Sequence, residues 1–124
     1  MAPRTPLVVL AEDDAELRTL LAQSLRSWGL AVREAANGAE LARLLFGPDD
    51  LPDLLVTDVR MPGPSGLSTL RCMRVEAWAT PVILVTAFPD DALRAEAREL
   101  GAVVLEKPFP IERLKRVVAQ ALHS

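Results

Sequence analysis

At 124 residues, half of them hydrophobic, the chain has the size of one domain with a sizeable core. Its net charge of -3, with both signs interspersed, offers no basic stripe of the kind that direct nucleic-acid binding requires. The single Cys72 excludes an internal disulfide, the start of the chain lacks the apolar core of a secretory signal, and no apolar stretch reaches membrane-span length; the chain reads as soluble and cytoplasmic.

The first strand is expected over residues 7–10 and runs into the acids Glu12, Asp13 and Asp14. A helix follows, with Leu17, Leu20, Leu21, Leu25 and Trp28 at helical spacing and Gly29 as terminator. Residues 31–35 lead through Asn37-Gly38 to a second helix bearing Leu41, Leu44 and Leu45, which Gly47-Pro48-Asp49-Asp50 ends. Trp28 and Phe46 lie on apolar helix faces, as core or core-edge residues.

The run Leu54-Leu55-Val56-Thr57 delivers Asp58 to a loop, because the prolines and glycines of Met61-Pro62-Gly63-Pro64-Ser65-Gly66 resist both helix and strand. A third helix is expected from near Leu67 to Val75, with Cys72 as a small residue on its inner face. Pro81-Val82-Ile83-Leu84-Val85 ends at Thr86, and a fourth helix over about 90–100 turns Leu93, Ala97 and Leu100 inward before Gly101. An apolar strand over 102–105 precedes Lys107. The last helix carries Ile111, Leu114, Val117, Val118, Ala121 and Leu122 on one stripe, with His123 as a polar group near its end.

Five alternating strand and helix patterns with buried strands imply a parallel sheet covered on both faces. Open parallel sheets place their sites beyond the carboxyl ends of the strands, so Glu12, Asp13, Asp58, Thr86 and Lys107 share one rim. Each alone has a plainer role: Asp13 or Asp14 as a helix cap, Asp58 as the start of a turn, Thr86 as a strand-end hydroxyl, Lys107 as a solvated charge. Independent caps would have no reason to converge on one rim. Ionised acids there repel unless a hard divalent cation takes their oxygens, and Mg²⁺, which also favours phosphate oxygens, is the natural one. Asp58, with room above it, suits nucleophilic attack on a phosphoryl group; Glu12 and Asp13 suit the metal; Thr86 and Lys107 suit the phosphoryl oxygens.

From about residue 7 to 121 the chain resembles a response-regulator receiver domain of two-component signalling, similar to the chemotaxis regulators. The motifs are Glu12-Asp13, Asp58-Val59-Arg60-Met61-Pro62-Gly63, Thr86-Ala87 and Lys107-Pro108-Phe109. The resemblance implies a flavodoxin-like (βα)5 fold of strand order 2-1-3-4-5, which pattern alone does not fix. It implies phosphorylation of Asp58 by a sensor histidine kinase or phosphotransfer protein, and Mg²⁺ held by Asp13, Asp58 and the backbone carbonyl of Arg60, with Glu12 acting partly through water. It also implies a cis Lys107-Pro108 bond. The domain would be a phosphoacceptor that assists its own phosphorylation and dephosphorylation rather than an enzyme.

Phe88, two positions past Thr86, is placed to overhang the site. Val104 stands where many receivers carry a switching aromatic, and the apolar fifth strand speaks against the winged-helix subclass, whose dimers use acidic and aromatic residues there. An output domain or dimer would meet the face of the fourth helix, fifth strand and fifth helix, near Arg94, Arg98, Arg113 and Arg116. Two other readings are a metal-dependent aspartyl-phosphate phosphatase, which would want an acid where Arg60 stands, and a non-phosphorylated receiver-like binding module. The chain is read as a single receiver domain over 1–124, either stand-alone or part of a larger protein.

Overall fold

The computed structural model describes residues 4–48 and 50–123. Its elements alternate throughout: β1 (Leu7–Ala11), α1 (Ala15–Ser27), β2 (Ala31–Ala35), α2 (Gly38–Phe46), β3 (Leu54–Asp58), α3 (Gly66–Val75), β4 (Val82–Thr86), α4 (Asp91–Glu99), β5 (Val103–Glu106) and α5 (Ile111–His123). The strands form one parallel sheet in the order β2-β1-β3-β4-β5. This is the flavodoxin-like arrangement that the receiver resemblance implies. Of the loop expected at 47–50, Asp49 lies outside the described residues, as do residues 1–3 of the amino-terminal segment.

Side chains alternate across a strand, so a sheet covered on both faces sorts neighbouring residues into two cores. Val8, Leu10, Leu54, Val56, Ile83, Val85 and Leu105 pack with Leu21 and Leu25 of α1 and Leu114 and Val118 of α5. Val9, Ala11, Leu55, Val82 and Leu84 face the other way, toward Leu41 and Leu45 of α2, Leu70 and Met73 of α3, and Leu93 and Ala97 of α4. All five residues of β3 and of β4 are buried. No helix among the described residues is long and apolar enough to cross a membrane.

Local chemistry starts the helices where the sheet needs them. Asp14, Asn37, Ser65 and Asp90 each cap a helix by accepting a backbone N–H with the side chain. At the opposite edge Asp53 accepts from the Leu7 N–H at 2.8 Å and from Arg4 at 2.7 Å, fixing the entry to β1 beside β3.

Four expectations change. Cys72 is exposed, because Thr69, Leu70 and Met73 form the inner face of α3 and a residue two places past Leu70 points away from it. Leu20 is 53% exposed, since the buried stripe of α1 follows Leu21, Ala22 and Leu25. Phe46 is also exposed, stacked on Trp78 with ring centroids 5.0 Å apart, whereas Trp28 does pack against the core. Finally, β5 begins one residue later than expected and ends on the exposed Glu106, which pairs with Arg94 at 3.5 Å. The strand therefore carries an acid, and the case against the winged-helix subclass keeps only its missing aromatic.

Candidate functional site

Parallel register carries three strand ends to one rim. Asp58, the last residue of β3, lies opposite Val85 of β4, and Thr86 lies opposite Glu106 of β5. Backbone bonds extend the sheet one step further: Glu12 N–H to Ala35 O, Val59 N–H to Val85 O, and Lys107 N–H to Thr86 O at 2.8 Å. The turn after β3 folds back closely, and Gly66 is required there because a Cβ would lie 2.1 Å from the Asp58 carbonyl oxygen. The Thr57 hydroxyl donates to that same carbonyl at 2.9 Å.

The Lys107 ammonium stands between two buried carboxylates, 2.9 Å from Glu12 Oε1 and 2.7 Å from Asp58 Oδ1. Glu12 is 2% and Asp58 4% exposed, while Asp13 is exposed beside them. Glu12, Asp13 and Asp58 each present an oxygen within 4.8 Å of the others. Asp13, Asp58 and Lys107 border a cavity of about 180 Å³ lined also by Arg60, Thr86 and Phe88. Asp58 is therefore buried yet faces open space.

One lysine does not neutralise two buried acids. Burial, and then the neighbouring Glu12, push the Asp58 carboxyl up to about 8, against the pull of Lys107. Burial also opposes ionisation of Glu12, but its bonds to Asp58, Lys107 and the Asp14 N–H outweigh this and hold it below the usual carboxylate range. Burial alone would depress Lys107, yet the two carboxylates raise it. With one lysine between them the two carboxylates are short of positive charge, and burial weighs more heavily against ionisation at Asp58 than at Glu12. A set of hard oxygen donors short of positive charge fits a divalent cation such as Mg²⁺.

The structure brings together Glu12, Asp13, Asp58, Thr86 and Lys107, with Arg60 at the cavity wall. The Thr86 hydroxyl oxygen accepts from the Phe88 N–H at 3.1 Å, leaving its own hydrogen to donate. The Phe88 ring is 70% exposed and lies under the Arg60 guanidinium, 5.8 Å from centroid to carbon, so the pair forms part of the cavity mouth. The Lys107-Pro108 bond is cis. Asp14, which shares the acidic run, is instead the cap of α1.

Sequence reasoning missed the supports of this site. Arg18 donates to the Glu12 carbonyl oxygen at 2.8 Å, and Thr57 and Gly66 fix the Asp58 backbone. No motif spacing marks such contacts, because each joins a side chain or a bare Cα to backbone brought close only by folding.

The response regulator receiver domain family matches residues 8–119. The chain is 34% identical over 117 residues to the DNA-binding transcriptional regulator NtrC of Escherichia coli strain K12, covering 94% of this chain and 24% of that protein. It is 37% identical over 128 residues to the C4-dicarboxylate transport transcriptional regulatory protein DctD of Pseudomonas aeruginosa, covering 98% and 27%. The chain thus spans about a quarter of the length of these two relatives. The receiver domain of the Francisella response regulator 1452 superposes with a TM-score of 0.87 at 28% identity, covering 96% of this chain and 98% of that one. The family match takes in β1 from its second residue, the other four strands whole and each rim residue named above, and the chain belongs to the response regulator receiver domain family of two-component signalling.

Proposed function

We propose that this receiver domain takes a phosphoryl group from a sensor histidine kinase or phosphotransfer protein onto Asp58 and thereby switches a partner-binding face. The observation that carries the reading is the Lys107 ammonium lying within 2.9 Å of both Glu12 and Asp58 at the edge of an open cavity. Glu12, Asp13 and Asp58 would hold Mg²⁺, joined on the strength of the resemblance by the backbone carbonyl of Arg60. When bound, the ion supplies the positive charge that lets the acids ionise together and that offsets charge on phosphoryl oxygens.

The ionised Asp58 oxygen attacks phosphorus, forming an O–P bond as the P–N bond to the donor imidazole breaks and the imidazole takes up a proton. Lys107 keeps its ammonium beside Asp58, so it can follow the negative charge onto the phosphoryl group. Thr86 supplies a hydroxyl hydrogen, and Phe88 with Arg60 narrows the approach of water. The product is an acyl phosphate on the protein itself, which suits a signalling domain better than a turnover catalyst. The setting is cytoplasmic, and residues 1–124 act as one receiver domain whose output runs through α4, β5 and α5, without direct nucleic-acid binding by this domain.

Acetyl phosphate with Mg²⁺ should label the wild-type chain at one group per molecule and leave Asp58→Ala unlabelled. Label retained in Asp58→Ala would remove Asp58 from the role. Steady hydrolysis of phosphate esters would favour a phosphatase instead.

A further inference from the structure

Arg18 is the fourth residue of α1, and its half-buried guanidinium does two things at once. Nη1 donates to the backbone carbonyl of Glu12 at 2.8 Å, and Nε lies 3.5 Å from Oε1 of Glu34 on β2. Glu34 is held from its other side by Arg26, whose Nη1 lies 3.2 Å from Oε2 and whose Nη2 donates to the Val32 carbonyl at 3.1 Å. The Glu12 N–H donates to the Ala35 carbonyl at the end of the same strand. Both backbone polar groups of Glu12 are therefore tied down, one directly by β2 and one through Arg18.

We infer that Arg18 is a positioning residue for the Mg²⁺ site, clamping the turn that carries Glu12 and Asp13 against β2 so that their carboxylates meet Asp58. The inference rests on the reading of those three acids as the metal site. Its sign has to be decided between two effects. As a cation near the acids, Arg18 would weaken Mg²⁺ binding; as a clamp, it strengthens binding by holding the donors in place. Its charge is offset in part by Glu34, which it shares with Arg26, and is screened by solvent, whereas its bond to the carbonyl is charge-assisted and half-buried, so the clamp dominates. Groups that orient metal ligands commonly change affinity by about 10-fold or more when removed.

Two acceptors on different elements call for the forked guanidinium. A lysine in its place keeps the charge but has a single nitrogen, which does not reproduce the two-point clamp.

The test is Mg²⁺ titration of the full chain by calorimetry, without phosphodonor, for wild type, Arg18→Ala, Arg18→Lys and Asp13→Asn, with thermal melting of each in EDTA as the folding control. Arg18→Ala should bind Mg²⁺ about 10-fold more weakly, and Arg18→Lys should also bind more weakly than wild type, by more than about twofold. Arg18→Ala binding within twofold of wild type, or more tightly, overturns the inference. Should Arg18→Ala not fold, Arg18→Lys decides, and its binding within twofold of wild type overturns the inference equally. Asp13→Asn separates the two layers of the claim: if it loses Mg²⁺ affinity the metal reading stands whatever Arg18 does, and if it binds as wild type that reading fails and the role of Arg18 fails with it.

Discussion

Asp58 shows how one position can be poised by its surroundings. Without metal its carboxyl is pushed from the ordinary 3.8 up to about 8, so between those values the folded chain binds a proton that the unfolded chain has released. Stability from this group is therefore full below about pH 4 and is lost as pH rises toward 8. Glu12, shifted the other way, loses its contribution only as pH falls below its ordinary 4.5. Denaturation in EDTA should show stability declining from pH 5 to 8, Mg²⁺ should reverse the decline, and Asp58→Asn should flatten it. An unchanged slope in Asp58→Asn would place the proton elsewhere. At Gly66, an added Cβ collides with the Asp58 carbonyl oxygen, so Gly66→Ala should destabilise by about 1–3 kcal/mol and weaken labelling in the same variant. Phe88→Ala opens the cavity mouth and should shorten the lifetime of the acyl phosphate severalfold, read by decay of the label. That the chemistry-bearing residues meet at one rim was legible because charged and hydroxyl types recur in the sequence at the ends of apolar runs. Arg18, Thr57 and the support role of Gly66 were not, because a bond to a backbone carbonyl leaves no mark in residue type or spacing.

Among the elements, those buried on both sides or carrying a wide apolar stripe were legible to within a residue or two: β3 and β4 as continuous apolar runs, and α5 as a periodic stripe. The misreadings fall at surfaces. Leu20 and Cys72 sit one or two positions off the buried stripe of their helices, a small rotation that hydrophobicity alone does not resolve. The edge strand β5 depends on its partner for its limits, so Glu106 joined it against its composition. Helix α4 buries only Leu93 and Ala97; Asp90 caps its start, Arg94 pairs with Glu106 of β5, and two arginines of α3 hold it as well: Arg71 pairs with Glu96 through Nε and Nη2, and Arg74 donates to the Leu100 carbonyl at 2.7 Å. Asp90→Ala removes the cap accepting from the Leu93 N–H at 2.8 Å and should cost about 1 kcal/mol in chemical denaturation. The same change at an uncapped surface acid such as Glu99 should cost far less.

Across the whole molecule, two cores back one sheet, and the rim of that sheet holds the charged groups apart from both. The order of strands was inherited from the family resemblance, since any right-handed winding of five units satisfies the hydrophobic pattern. The convergence of strand ends followed from parallel direction alone. A phosphoryl group at the rim adds about 1.5 to 2 negative charges near Lys107 and Thr86, and Thr86 leads through Phe88 and Asp90 directly into α4. Amide spectra with beryllofluoride and Mg²⁺ should therefore shift across α4, β5 and the facing side of α5, with little change in α2. Shifts confined to the rim would separate phosphorylation from this output face.

Reductive trapping addresses the central chemistry most directly. Borohydride converts an aspartyl phosphate to homoserine, so after acetyl phosphate and Mg²⁺ treatment the peptide spanning residues 54–66 should carry homoserine at position 58, with Glu12, Asp13 and Asp14 unmodified and the signal abolished by EDTA. Homoserine at another acid, or an untouched Asp58 in a chain that has taken up phosphate, would contradict the assignment.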